Sequence, residues 1–170
     1  MPAPLPPAVG AEDFRRGMRR LASGVTIVAA AHGGERSGLT ATAVSSLTAE
    51  PPQLLVCVNR SAAAHEQIRK GEALCVNLLG LEHRALAERF AGIGGIHGPE
   101  RFEAGAWTTL ATGAPVLADA LAAFDCVVVD AVDVATHTIF ISRVVAVRAR
   151  EDGIALAWEA GGFASVRREE

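Results

Sequence analysis

Between Gly38 and Ser61 the chain sets four small hydroxyl residues, Thr40, Thr42, Ser45 and Ser46, ahead of an apolar run that ends on Asn59, Arg60 and Ser61. Short hydroxyls donate and accept hydrogen bonds at close range, and the intervening Ala41 and Ala43 let backbone approach a ring. A helix starting at Ser61 would turn its free amides toward an anion. These residue types in this order suit a flat ligand with a phosphate tail. The same Thr/Ser/Ala alternation also describes an ordinary half-buried strand, and the segment alone leaves both readings open.

Other chemical constellations fail on spacing. The five histidines, His32, His65, His83, His97 and His137, form no HExxH pair, and no GxSxG occurs. The glycine-rich run Gly92–Gly98 puts His97 where the third glycine of a GxGxxG fingerprint belongs, follows a helical pattern and opens no βαβ unit, so it is not a Rossmann site. Cys57, Cys75 and Cys126 are odd in number, far apart and each inside an apolar run, and read as small core residues. Neither metal nor disulfide is expected. His137, at a turn between two strand-like runs, reads by itself as a surface residue.

The elements that must position these residues follow from periodicity and punctuation. A helix is expected over Asp13–Ala22, strands over Val25–Ala31 and Ser37–Val44 around the Gly33-Gly34 turn, and a strand over Gln53–Asn59. Ser61 should cap a helix over Ala62–Lys70, followed by a strand at Leu74–Leu79 and a helix over Glu82–Ala91. The loop carrying Arg101, Phe102 and Trp107 should move or pack on a ligand, and a short helix should follow Pro115. Two long strands, Ala123–Asp133 and Thr138–Arg150, and a last one at Ile154–Trp158 bring the count to about seven. So many strands with few helices favour a closed antiparallel sheet over a parallel one.

The chain has 170 residues, room for one domain but not for a dinucleotide-binding domain plus a catalytic one. Residues 1–10 carry four prolines and read as a loose tail, leaving 11–170 as a single domain. Hydrophobic residues make up 50% of the chain, enough to leave apolar surface for a second subunit, so a homodimer is expected. The start lacks the basic and apolar regions of a signal peptide, and no apolar run is long enough to span a bilayer, which points to the cytoplasm. A net charge of −3 without a basic block argues against nucleic acid as partner.

From Phe14-Arg15 through Ser23–Val28, Gly38–Ala41, Glu50-Pro51-Pro52, Cys57–Ser61, Val76–Leu79, Arg89–Ala91 and Arg101-Phe102 to His137–Ile141, the chain resembles the short-chain flavin reductases, the reductase components of two-component flavin monooxygenases. The resemblance implies a mainly β fold with short helices, a split Greek-key antiparallel barrel. It implies an NAD(P)H:flavin oxidoreductase that reduces FMN or FAD with NADH or NADPH and supplies reduced flavin to a partner monooxygenase. On the same basis Thr40, Ala41 and Thr42 would lie along the ring and ribityl, and Ser45 and Ser46 would reach the ribityl or phosphate. Cys57, Val58 and Asn59 would offer main chain to the ring, Arg60 and Ser61 would sit at the phosphate, Phe90 would border the flavin, and Phe163 would stack near the nicotinamide. His137 would contact the nicotinamide nucleotide as the catalytic-site histidine. The family's Gly-Asp-His is here Ala135-Thr136-His137, and the family's frequent threonine is Ala64. Those departures keep two alternatives: a flavin- or haem-binding module without reductase activity, and a reductase for another acceptor such as a metal-corrin.

Overall fold

The computed structural model of the chain describes residues 5–167. In order it contains α1 (Ala11–Met18), β1 (Ser23–Gly24), β2 (Thr26–His32), β3 (Glu35–Ala41), β4 (Val44–Ala49), β5 (Pro52–Asn59), α2 (Ala63–Gly71), β6 (Ala73–Leu78) and α3 (Arg84–Phe90). It continues through β7 (Trp107–Thr108), β8 (Val116–Leu117), β9 (Ala122–Val134), β10 (His137–Ala149), β11 (Ala155–Glu159) and β12 (Gly162–Val166). The fold is mainly β with short helices. Seven strands form one antiparallel sheet in the order β3-β2-β6-β9-β10-β5-β4, and β1-β11-β12 form a second, three-stranded one.

The expected closed barrel is not found: β3 and β4 are the two hydrogen-bonding edges of the large sheet and do not pair. They are nevertheless joined by only Thr42 and Ala43. Laid flat, seven strands would hold those edges about 29 Å apart at the usual strand spacing. Three Cα steps reach at most about 11 Å, so the sheet has to curl strongly. The single strand expected over Ser37–Val44 is broken at that corner, and β4 appears where the sequence reading placed no strand. The strand expected at Ile154–Trp158 lies in the small sheet instead.

Three further expectations are corrected. After Pro115 the chain forms β8, paired with β7, rather than a helix, because the apolar pair Val116 and Leu117 is fully buried. α1 starts and ends earlier than Asp13–Ala22 and buries none of its residues, so no packing extends it. The N-cap position of α2 is Ala62, without a side-chain cap, because the Ser61 hydroxyl turns back to donate to Asn59 Oδ1 at 2.9 Å. The tail expected over 1–10 falls partly outside the described residues; 5–10 are exposed and irregular.

β2 is buried on both faces, and its alternate side chains enter two cores. Ile27 and Ala29 pack with Leu86, Phe90 and Phe102, while Val28 and Ala30 pack with Val56, Ile68 and Phe140. Full burial of a side chain of this size contributes about 1.5–3 kcal/mol each. Asn77 is the polar pin of this arrangement. It is 0% exposed, donates from Nδ2 to the carbonyls of Ile27 and Pro115, and accepts at Oδ1 from the Leu117 amide at 2.7 Å. One side chain thus locks β6 to β2 and to β8.

Replacing Asn77 by leucine strands those backbone groups in an apolar interior. The expected cost is about 3 kcal/mol, read as a fall in the urea unfolding midpoint. An unchanged midpoint would remove Asn77 from this role.

Candidate functional site

The curl of the sheet brings β3 against the link between β5 and α2, and a 410 Å³ cleft opens between them. Ser37–Thr40 form one wall, Ser61–Ala64 another, and Phe90, Ala91, His97, Gly98 and Arg101 complete it. A 220 Å³ slot adjoins it through the shared residues Thr40 and Ala91, walled by Val25, Ala41, Thr42, Ile93, Trp158 and Phe163. One end of this composite site is polar. The other is almost wholly apolar.

At the polar end Asn59 Oδ1 accepts from both the amide and the hydroxyl of Ser61, each at 2.9 Å, which sharpens the turn into α2. The amides of Ala63 and Ala64 have no acceptor among the described residues, as the first turn of a helix without a side-chain cap requires. Both residues line the cleft, at the positive end of the helix dipole. Arg101 adds charge opposite. Its Nη1 donates to the Gly38 carbonyl at 2.9 Å and its Nε to the Ile96 carbonyl at 3.2 Å, holding the guanidinium in place. Burial lowers its pKa, yet a guanidinium keeps its proton at any working pH. These are donor groups of the kind that an anion accepts from.

The apolar end is stiffened by aromatic packing. Phe163 meets Trp158 edge-on at 5.0 Å, and the Arg84 guanidinium lies 5.4 Å over its ring. Phe90 is only 1% exposed and packs against Phe102 and Trp107 with centroids 5.0 and 5.4 Å away, so its main work is in the core, with the cleft on its edge. Phe102 is buried with it. In the loop expected to move or pack on a ligand, Phe102 and Trp107 close the core and Arg101 lines the cleft.

The structure gathers some of the sequence-derived residues and separates others. Thr40, Ala41, Thr42, Ser61, Phe90 and Phe163 line the composite site, although the Thr40 hydroxyl is bound to the Ala87 carbonyl at 2.6 Å and acts as a strut to α3. Ser46 lies instead on a further 560 Å³ cavity, which meets the slot at Thr42 and is walled also by Val44, Leu54 and Phe124, and Ser45 is exposed with its hydroxyl on the Ser46 carbonyl. The Cys57 amide is taken by the Ala43 carbonyl at 3.0 Å, and Val58 is a buried core residue. Burial pushes the Cys75 thiol up and the Cys126 thiol up to about 12, which leaves both inert, while Cys57 is half-buried.

His137 pairs with Asn59 across the β10–β5 ladder, next to the polar end of the cleft. It is exposed, its Nδ1 sits 2.9 Å from the Thr136 hydroxyl, and it lines none of the three cavities. Arg60 is exposed beside it, its amide on the Thr136 carbonyl. Sequence reasoning anticipates free amides at the start of this helix but places the cap on Ser61, and it reads the glycine run only as a failed Rossmann motif, so His97 on the cleft wall goes unmarked.

The curled antiparallel sheet thus sets a helix start with two unpartnered amides beside an apolar slot. A family model described as a flavin reductase like domain matches residues 18–167. FMN reductase (NADH) RutF from Bradyrhizobium diazoefficiens is 46% identical over 140 residues, covering 82% of this chain and 77% of that protein. The crystal structure of a Haemophilus somnus 129PT protein matches with a TM-score of 0.89 at 39% identity over 93% of this chain and 100% of that one. BorF, the flavin reductase component of a bacterial two-component tryptophan halogenase, matches with a TM-score of 0.85 at 28% identity over 94% of this chain and 100% of its own. The chain belongs to the flavin reductase-like family.

Gly38 is where the cleft wall tolerates least. A Cβ there would stand 2.8 Å from Phe90 Cε1 and 3.2 Å from the Val28 carbonyl, and Phe90 is held from behind by Phe102 and Trp107. Gly38→Ala is expected to cost about 1–3 kcal/mol of stability through overpacking. A thermal midpoint equal to that of the unmodified protein would show that Phe90 can retreat.

Proposed function

We propose that this chain is an NADH-dependent FMN reductase that works as a cytoplasmic homodimer, its single domain supplying reduced flavin to a partner flavin-dependent monooxygenase. One observation carries the reading: the unpartnered amides of Ala63 and Ala64, with Arg101 opposite, sit at one end of a cleft whose other end is the apolar slot at Phe163. Phosphate at the first and a flat ring at the second is the occupancy these donors fit. FMN and NADH are chosen over FAD and NADPH because the 46%-identical relative is named an FMN reductase (NADH).

When bound, the flavin accepts a hydride at N5 from nicotinamide C4. The chain's own residues then need only bind, orient and exclude water. Ser61 and the Ala63 and Ala64 amides hold the phosphate, the backbone of Ala41 and Thr42 borders the ring, and Phe163 with Ile93 covers it. His137, beside Asn59 at the mouth of the β5–α2 turn, serves the nicotinamide nucleotide. The dimer is supported by the exposed valines of the β9–β10 ribbon, Val127, Val129, Val132, Val134, Val145 and Val147, apolar surface that water does not favour.

Steady-state NADH oxidation should rise saturably with added FMN. His137→Ala should raise the NADH Michaelis constant while leaving the FMN dissociation constant unchanged. The position of His137 outside the cavities favours a second reading, a flavin-binding module without turnover; FMN binding without NADH oxidation would select it.

The phosphate assignment has a backbone test. Ala62 is extended (ψ 134°) and Ala63 opens the helix, so proline at position 63 removes one amide without breaking α2. Ala63→Pro should weaken FMN by about 1–2 kcal/mol and leave riboflavin, which lacks the phosphate, unaffected. Equal weakening of both ligands would place the phosphate elsewhere.

A further inference from the structure

α2 begins without a side-chain cap, and Ala64, whose amide a cap could take, lines the cleft together with Ala63. Such a start serves an anion but is prone to fray. His65, the third residue of this first turn, makes a tertiary bond in place of the cap. Its Nε2 lies 2.8 Å from the hydroxyl of Thr138, a residue 0% exposed on β10. That hydroxyl donates to Asp133 Oδ1 at 2.6 Å, and the Arg69 guanidinium closes on the same carboxylate.

The direction of this chain is forced. A threonine hydroxyl has one proton, and Asp133 accepts it, so the proton between His65 and Thr138 belongs to the imidazole. His65 is therefore the Nε2–H tautomer, with Nδ1 bare. Burial lowers its pKa, the nearby Arg69 and Arg60 lower it further and Asp133 opposes them, so the ring is neutral at neutral pH. The Thr138 hydroxyl holds the Asp133 carboxyl below the usual carboxylate range, keeping the acceptor ionised. Phe140 seats both ends, with its ring 5.5 Å from the imidazole and 5.8 Å from the Arg69 guanidinium.

We propose that His65, Thr138 and Asp133 form a positioning relay that replaces the missing helix cap and aims the Ala63 and Ala64 amides into the cleft. The inference rests on the cleft being the phosphate site. The relay ties the first turn of α2 to the end of the β9–β10 ribbon, so the anion end of the cleft and the turn that carries His137 move as one piece. A local serine or aspartate cap would hold the helix but consume an amide. A bond from the third position holds it and leaves those amides to the ligand.

Thr138→Val keeps the shape of the side chain and removes both bonds, and Thr138→Ser restores the hydroxyl. FMN titrated by fluorescence quenching should bind the valine variant about tenfold more weakly, equivalent to about 1.4 kcal/mol. Riboflavin should bind it as the unmodified protein does, and the serine variant should return FMN to near its original affinity. His65→Phe, which keeps the packing on Phe140 without the donor, should repeat the valine result and covers the case in which Thr138→Val does not fold. FMN affinity unchanged in Thr138→Val or His65→Phe overturns the relay. A long-range proton–nitrogen NMR spectrum of the ligand-free protein should show His65 with its proton on Nε2, and an Nδ1–H tautomer also overturns it. Failure of the unmodified protein to bind FMN at all would refute the phosphate reading instead, and the tautomer would then decide the relay by itself.

Discussion

Two residues, Thr42 and Ala43, link the edges of a seven-stranded sheet, and most of what matters in this protein follows from that short connection. A link that short forbids a flat sheet. β3 lies at one edge and β5 is second from the other, so their contributions to one cleft exist only because the sheet curls. Gly38–Thr40 and Ser61–Ala64 become facing walls for the same reason. The curl also gives β2 two buried faces, which is why its residues are apolar without alternation.

Given the curl, two polar arrangements keep the site in shape. Asn77 satisfies backbone groups on β2 and around β8 from within the core, and Arg101 spans from β3 to the glycine-rich loop. Both use a side chain with several donors to hold main chain that has no ladder partner, and both are costly to remove because the freed groups are buried. The cleft end of α2 works on the opposite logic. Its amides are left unpaired, and that deficit makes it useful to an anion.

The proposed reaction requires no catalytic dyad. Transfer between two stacked rings asks the protein for alignment and a dry contact, which an apolar slot bounded by Ile93, Trp158 and Phe163 can supply. The membership of the flavin reductase-like family and the geometry of the cleft thus speak to the same chemistry from separate observations.

The sequence by itself determined the strand-rich class, the β2–β3 hairpin, the apolar runs of β5, β6, β9 and β10, and the resemblance that singled out Thr40, Ala41, Thr42, Ser61, Phe90 and Phe163, which line the composite site. These are local signals: periodicity, glycine turns and motif order act over a few residues. The break at Thr42–Ala43, the strand nature of Val44–Ala49 and of Val116–Leu117, and the separation of Ser46 from Ser61 were decided by the tertiary structure, because each depends on which distant strand lies alongside. The cap was misread for the same reason: Ser61 has the right chemistry to cap α2, but Asn59 competes for its hydroxyl. The place of Arg101 and His97 on the cleft wall left no local mark, since an arginine held by a carbonyl across 63 positions looks ordinary until the chain is folded.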